Sequence, residues 1–174
     1  MKYHVTLTEE DYIAFNIHYA FHSKTGRQQL MIGRLLPAFV SFCFWMMQLV
    51  TGTNRNTLIV EAILLTAYAV WGYYRYPKTY TKNIRKNILK LKEQGRLPFS
   101  TEADVEFTDS ALLETTPDST RTVEYSTIVD VFDTPEYLFI MFGAVQAIII
   151  PKRCVDDPQQ LLDFLKSKTD RLTA

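Results

Sequence analysis

The sequence predicts an α+β membrane protein, in which two apolar helices form a transmembrane hairpin and a small antiparallel β-rich domain, closed by a C-terminal helix, follows. Three observations carry this prediction. Two long apolar runs lie close together within residues 30–76, Lys and Arg residues crowd the segment after them, and short strand-length runs fill residues 97–174. The chain has 174 residues, enough for a membrane anchor and one small domain.

Charge is distributed unevenly along a chain whose formal net charge is zero. Residues 1–99 contain 13 Lys and Arg against 5 Asp and Glu, whereas residues 100–174 contain 6 against 14. Basic residues beside apolar runs suit the anionic head groups of a lipid bilayer. No basic patch occurs on a soluble part of the chain that could contact nucleic-acid bases. We therefore do not expect this protein to bind nucleic acid.

The N-terminal segment, residues 1–29, is predicted to contain a strand and a helix. The alternating residues YHVTL at 3–7 are typical of a short strand. Thr8 is a suitable N-cap for a helix that runs to about Ser23, with Asp11 at its N3 position. The residues KTGR at 24–27 indicate a break or a kink after this helix.

The hairpin is predicted within residues 30–76, with spans at about 31–50 and 57–74 joined by the polar turn TGTNRN. As helices these spans are about 30 Å and about 27 Å long, close to the hydrocarbon thickness of a bilayer. A buried helical pair in a soluble core is the alternative. We disfavour it because both runs are apolar on all sides, whereas soluble helices carry a polar face.

The positive-inside rule predicts a cell-membrane protein with two spans and with both termini in the cytoplasm. Basic residues precede the first span and follow the second, whereas the turn contains only Arg55. The basic connector at 77–96 is predicted to be a helix, which either contacts lipid or serves as a topology signal and packed linker. Candidate residues for the membrane interface and lipid head groups are Arg34, Trp71, Arg75, Lys78, Lys82, Arg85 and Lys86.

Residues 97–174 predict an antiparallel meander followed by a helix. Six strand-length runs alternate with turn residues, and the sequence DDPQQLLDFLKSK then gives the helix. Asp157 is the expected N-cap and Pro158 the first helical residue. Leu161, Leu162 and Leu165 are expected to form its buried stripe.

This order of parts resembles the YcxB-like family of bacterial membrane proteins. The nearest local match is the ending AIIIPKRCVDDPQQLLDFLK at 147–166, in which a last strand leads through Pro-Lys-Arg into the terminal helix. The resemblance implies a C-terminal domain similar to pleckstrin-homology folds, and it brings no catalytic residues. Such folds have seven strands, so either one strand is unrecognised in 97–174 or residues 3–7 supply it.

Glu61 is the intramembrane polar candidate, because a carboxylate inside a span is costly and is a functional hypothesis by default. It can also reach the outer interface or stay protonated. His18 and His22 have metal-ligand spacing, but no third ligand lies at a diagnostic interval, so we predict no metal and no cofactor. Since no catalytic motif is present, we predict that the protein is not an enzyme.

The leading functional prediction is a non-enzymatic, membrane-anchored scaffold that presents an acidic domain to a protein partner of unknown identity. Glu102, Asp104 and Glu106 would contribute to its acidic face, and the very apolar run YLFIMF at 137–142 is expected to lie partly in an interface. Lys152 and Arg153 are expected in a solvated turn or against the chain's own acidic surface.

The alternative is a transport or regulatory subunit that acts through its membrane part. Glu61, Thr66, Gln48 and Ser41 would then matter. Because two helices cannot form a pathway alone, this alternative requires a homo-oligomer.

Overall fold

The computed structural model describes residues 1–96, 99–143 and 146–173, which form two units: residues 1–15 with 91–174, and residues 16–90. The helices are α1 (Glu9–His22), α2 (Lys24–Val50), α3 (Arg55–Glu93) and α4 (Pro158–Lys168). The strands are β1 (Lys2–Thr6), β2 (Glu102–Phe107), β3 (Ala111–Thr115), β4 (Thr120–Glu124), β5 (Asp130–Asp133), β6 (Tyr137–Met141), β7 (Ala147–Pro151) and β8 (Leu172–Thr173). The protein is therefore α+β, with a long helical region and two sheets.

The first unit contains two four-stranded sheets, with strand orders β1-β2-β3-β4 and β7-β6-β5-β8. All neighbours are antiparallel except β8, which runs parallel to β5. The N-terminal strand β1 pairs along β2, with His4 opposite Asp104. The N-terminal strand therefore does join this sheet, and residues 97–174 also contain a strand that the sequence pattern did not reveal, β8. The first sheet is completed by residues that precede both long helices.

Three of the hairpins begin with a threonine that closes the turn in the same way. Thr108, Thr116 and Thr134 each accept a hydrogen bond at Oγ1 from the backbone N–H three residues later, at 3.1, 3.1 and 3.0 Å. Each hydroxyl also donates to the carbonyl of that same residue. The short hydroxyl side chain thus bonds both backbone groups of the residue that ends the turn. These threonines therefore favour a turn at their own positions in the sequence.

The core of the first unit lies between the two sheets and α4. Leu112, Val131, Ile140, Ile150 and Leu165 are fully buried there. The terminal helix forms as predicted: the Asp157 carboxylate accepts from the N–H of Gln160 at 3.0 Å, and the three predicted leucines are buried. This cap and this stripe explain why the helix begins after Asp157 and covers the sheets.

The apolar strand β6 is buried on both faces, so the prediction that part of 137–142 lies in an intermolecular interface is wrong. Leu138 and Ile140 belong to the core between the sheets. Phe139, on the other face, is 1% exposed and contacts the ring of Phe15, with the centroids 5.5 Å apart. The start of α1 supplies this cover, which local sequence patterns cannot reveal because the two residues are distant in the chain.

The two long helices begin and end differently from the predicted segments. The expected break at KTGR lies instead at Ser23, whose hydroxyl caps α2 by accepting from the N–H of Gly26 at 2.9 Å. Residues 24–27 form the first turn of α2. Helix α3 continues through Pro77, so the basic connector is an extension of the second apolar helix, about 58 Å in total length.

Close contacts join α2 to α3 within the second unit. Added Cβ atoms at Gly33 and Gly72 would collide with the Tyr76 ring and with Pro37, respectively. The indole N–H of Trp45 donates to the carbonyl of Leu58 at 3.3 Å. Both helices are long and apolar enough to cross a membrane. In the most apolar 18-residue segment of each helix, only 17% of the α2 segment and 6% of the α3 segment is buried. A core helix of a soluble protein is mostly buried.

Candidate functional site

The predicted acidic face on β2 is partly neutralised by β1. Asp104 forms an ion pair with Lys2 at 2.9 Å and contacts His4 Nδ1 at 2.8 Å. These two hydrogen bonds, first from His4 and then from Lys2, lower the pKa of the Asp104 carboxyl. Glu102 and Glu106 stay exposed. The strand that completes the sheet therefore also pairs the middle carboxylate of the expected docking face with Lys2 and His4.

Asp11 is the most deeply buried charged residue described in the first unit. Its carboxylate is 1% exposed and accepts two bonds from the Arg153 guanidinium, at 2.8 and 2.6 Å. The backbone N–H and the hydroxyl of Thr8 also donate to it, at 2.7 and 2.8 Å. The same guanidinium reaches the carbonyl of Thr6 at 3.1 Å. This cluster fastens the start of α1 and the end of β1 to the segment after β7.

The protonation of this cluster follows from its bonds. Burial alone raises the pKa of Asp11, but the hydrogen bonds from Arg153 and Thr8 lower it to about 2. The pKa of Arg153 is raised above its usual value by the bond with Asp11. Both groups are therefore charged at neutral pH. Lys152, the neighbour of Arg153, forms an ion pair with Asp133 at 2.6 Å. Both basic residues therefore contact the chain's own acidic groups, which is one of the two placements predicted from the sequence.

A polar cleft of about 500 Å³ opens in the same unit, beside the edge strand β7. Its aromatic wall contains Tyr12, Phe15 and Phe99, of which Tyr12 and Phe99 stack with their ring centroids 4.7 Å apart. Ala147 and Ile149 of β7 line another side. Clefts of this volume, with an apolar wall and a few polar groups, are typical of binding sites.

The polar wall of the cleft lies on the β3–β4 hairpin. Glu114, Asp118 and Arg121 line it, and the Arg121 guanidinium lies 3.9 Å from the Glu114 carboxylate. Burial raises the pKa of Glu114, and the attraction of Arg121 only partly opposes that change. Arg121 also lies over the ring of Phe142, 5.2 Å from its centroid. The wall therefore retains an acidic group that its own partner compensates incompletely.

Glu61 lies in a small polar network near the turn between α2 and α3. The Gln48 amide donates to Glu61 Oε1 at 3.4 Å, and its carbonyl accepts from the hydroxyls of Thr51 and Thr53. Glu61 Oε2 is buried and has no hydrogen-bond partner among the described residues. The structure thus gives this carboxyl one weak partner and encloses its second oxygen without one among the described residues.

Six of the seven predicted interface residues lie on one stretch of α3, and Arg34 lies on α2. The Arg34 guanidinium lies over the Tyr73 ring, 5.4 Å from its centroid, and Trp71 is 61% exposed. The remaining candidates are all exposed on α3: Arg75, Lys78, Lys82, Arg85 and Lys86. This stretch has the aromatic and basic composition of a membrane–water boundary.

The histidine pair does not gain a third ligand. The rings of His18 and His22 stack 4.1 Å apart, and His22 Nδ1 contacts the carbonyl of His18 at 3.0 Å. Within residues 1–96, 99–143 and 146–173, no group of three or more His, Cys, Asp or Glu side chains could hold a metal ion. Imidazole stacking and a helix carbonyl account for this pair.

Sequence patterns do not reveal the cleft or the Asp11–Arg153 contact. Asp11 is recognisable as a capping residue near Thr8, but its partner follows 142 residues later. The only local signal is the Pro-Lys-Arg sequence at the end of β7, whose basic residues were predicted either in a solvated turn or against the chain's own acidic surface. The cleft walls come from α1, from the β3–β4 hairpin and from β7, so only folding brings them together.

The comparison with protein families agrees with the resemblance seen in the sequence. The family model described as YcxB-like protein matches residues 107–166, about a third of the chain. The match begins at the last residue of β2 and ends within α4. No curated protein and no solved structure matches the chain. Residues 107–166 therefore form a YcxB-like domain, and the predicted family is confirmed on that segment.

Proposed function

We propose that this protein is a membrane-anchored interaction module whose β-rich domain binds a protein partner at the cytoplasmic face. Helices α2 and α3 form the transmembrane hairpin, and both termini lie in the cytoplasm. The exposed apolar surfaces of these helices and the basic residues that flank them support this assignment. The protein performs no chemistry in this role and needs no cofactor.

The domain is proposed to be similar to pleckstrin-homology folds. Seven antiparallel strands in two sheets, β1 to β7, followed by a helix, support this proposal, with β1 supplied by the N-terminal segment. The hairpin is then an insertion between the first two strands of the domain. Because β1 and β2 precede and follow the hairpin, a domain of this kind is tethered to the membrane anchor through two chain connections.

The cleft beside β7 is the observation that carries the proposed partner site. It offers a stacked aromatic wall, the incompletely compensated Glu114 and the edge of a sheet, which can accept an extended segment of another protein. The exposed Glu102 and Glu106 add acidic surface on β2, although Asp104 between them is already paired. The cleft is therefore a better docking candidate than the acidic face predicted from the sequence.

Site-specific photo-crosslinking in native membranes tests this partner site. A photo-reactive phenylalanine analogue is incorporated in place of Asp118, which lines the cleft, and separately in place of Lys166, an exposed residue of α4. We expect a discrete protein adduct from position 118 and none from position 166. Adducts of equal yield at both positions, or none at 118, would reject the cleft as the docking site.

Topology reporters test the membrane assignment separately. A fluorescent protein that matures only in the cytoplasm is fused to either terminus, and alkaline phosphatase is inserted at Gly52 in the turn. We expect fluorescence from both termini and phosphatase activity from the turn, because the positive-inside rule places the basic flanks in the cytoplasm. Phosphatase activity at a terminus would contradict the orientation.

The alternative function, an oligomeric transport or regulatory subunit, is supported by the buried Glu61 Oε2, which has no hydrogen-bond partner among the described residues. In that case Glu61→Gln would alter a transport or regulatory readout without changing the adduct formed at position 118. An unchanged readout would leave the interaction module as the better account.

A further inference from the structure

Strand β7 lies at the edge of its sheet, and no other described strand pairs with its outer side. Its sequence, AIIIP, contains no charged residue, and its one proline is the last residue. Edge strands are usually protected by charged residues, bulges or proline, because their outward N–H and C=O groups can pair with another strand. The edge of β7 therefore lacks the charges that would discourage such pairing.

The register with β6 shows which backbone groups of β7 point outward. The N–H of Phe142 donates to the carbonyl of Gln146, just before β7, at 3.1 Å. This pair continues the register of the two strands, in which Met141 lies opposite Ala147. Bonded pairs alternate along an antiparallel ladder, so the even-numbered residues of β7 bond to β6. The backbone groups of Ala147 and Ile149 therefore point away from β6.

Both of these residues border the cleft described above. Ala147 is partly exposed, and Ile149, although only 6% exposed, also lines the cleft. In an extended chain the residues rise by about 3.3 Å each, so three residues cover about 10 Å of such an edge. An extended segment that lies in the cleft can therefore run alongside the outer edge of β7.

The opposite wall of the cleft carries charge on what is otherwise a core face. Leu112 is fully buried, and Glu114 follows it two residues later on the same face of β3. Arg121 of β4 lies opposite Glu114 in the register, yet their side chains approach only to 3.9 Å. The Glu114 side chain is 19% exposed, and its burial raises its pKa despite Arg121. A carboxylate in this position gains from a second cation.

The other charges and rings of the cleft indicate the same kind of ligand. Asp118 adds a second carboxylate, so the described lining has two carboxylates and one guanidinium. The stacked rings of Tyr12 and Phe99 provide an aromatic surface, on which a Lys or Arg side chain packs favourably. An acidic segment would instead meet two like charges. The cleft is therefore complementary to a basic segment.

We propose that the cleft binds an extended, basic segment of the partner protein, which adds to the edge of β7 as a further strand and places a Lys or Arg side chain against Glu114 and Asp118. Backbone bonds to Ala147 and Ile149 hold the segment, and the carboxylates select its charge. The proposal rests on the interaction module proposed above, and it adds the conformation and the charge of the segment that is bound.

Selection from a phage-displayed library of random peptides tests the charge. The target is the full-length chain in nanodiscs, and peptides that bind empty nanodiscs are removed first. Asp118→Lys is compared with the matched control Asp163→Lys, because both residues are exposed and only Asp118 lines the cleft. We expect the enriched peptides to share a Lys or Arg position and to bind Asp118→Lys about tenfold more weakly than wild type. Binding to Asp163→Lys should be unchanged.

N-methylation of the selected peptide, one residue at a time, tests the strand pairing. Only alternate residues of an added strand donate their N–H groups to the neighbouring strand. We therefore expect alternate positions to lose about tenfold in affinity when methylated, whereas the positions between them change little. Equal losses at successive positions, or no loss at any position, would overturn the addition of a strand to β7.

The remaining outcomes separate this proposal from the proposed function. A partner adduct at position 118, combined with enriched peptides that share no basic position or that bind Asp118→Lys as well as wild type, overturns the basic segment and leaves the cleft as a docking site. An adduct at position 118 with a second copy of this chain overturns it as well. The absence of both an adduct and an enriched peptide contradicts both proposals.

Discussion

Replacing Asp11 with Asn tests how strongly the N-terminal segment is fastened to the β-rich domain. The carboxylate is 1% exposed, and its bonds lower its pKa from 3.8 to about 2. A change of this size corresponds to about 2 kcal/mol of differential interaction with the charged form. Asn keeps the size of the side chain but removes the charge that Arg153 and Thr8 recognise. We therefore expect Asp11→Asn to destabilise the unit by about 2 kcal/mol.

Hydrogen–deuterium exchange of the full-length chain in nanodiscs measures this loss locally. Peptides from residues 1–15 should exchange about thirty-fold faster in Asp11→Asn, since each 1.36 kcal/mol is a factor of ten in the opening equilibrium. Asp163→Asn is the matched control. The side chain of Asp163 is 62% exposed and lies 3.4 Å from Lys166, so its removal should cost about 0.5 kcal/mol or less.

The pH dependence supplies an independent check of the same reasoning. The pKa of Asp11 is lower in the folded chain than in the unfolded chain, so its contribution is complete above pH ~4 and is lost as the pH falls toward ~2. Asp11→Asn should remove this acid-dependent loss. Equal exchange of wild type and Asp11→Asn at pH 7, or an equally large effect of the Asp163 control, would refute the role assigned to the Asp11–Arg153 contact.

Three further substitutions have defined outcomes. Gly33→Ala should lower the thermal midpoint of the purified chain, because its Cβ collides with the Tyr76 ring, and Tyr76→Ala in the same chain should restore part of the loss. Phe139→Ala should cost about 3–5 kcal/mol in denaturant unfolding, since the side chain is 1% exposed and packs on Phe15; a cost below about 1 kcal/mol would contradict that packing. Glu114→Gln should raise stability at pH 7, because burial raises the pKa of Glu114 and so makes its charged form unfavourable. This gain should shrink as the pH falls through the raised pKa, and a loss of stability at pH 7 would contradict it.

Local signals were sufficient for most elements of the second half of the chain. Each of the six strand-length runs between 102 and 151 contains an observed strand, and Asp157 caps the terminal helix as predicted. Alternation of apolar residues, turns that begin with threonine and an N-cap each depend on residues that are close in sequence. They can therefore be recognised in a single sequence. The two apolar helices could be predicted for the same reason.

The ends of the long helices and the residues that pack on strand β6 were less predictable. The helix interruption was expected at 24–27, but Ser23 alone provides it, and Pro77 did not separate the connector from α3. Pro77 has no N–H to donate to the carbonyl four residues earlier, at Tyr73, and α3 nevertheless continues past it. The apolar run at 137–142 indicated an interface, but its cover comes from Phe15 of the same chain.

Composition and periodicity alone determine that this chain has two apolar helices, a basic extension and a β-rich domain closed by a capped helix, because those properties arise from residues close in sequence. The tertiary structure decides that β1 joins β2, that α1 covers β6, that Arg153 binds Asp11 and that three distant segments enclose the cleft. The first three of these contacts join residues about a hundred or more positions apart, and the cleft also brings the β3–β4 hairpin and β7 together with α1. Such contacts depend on complementary shape and charge across the folded unit, and neither is encoded in any local pattern.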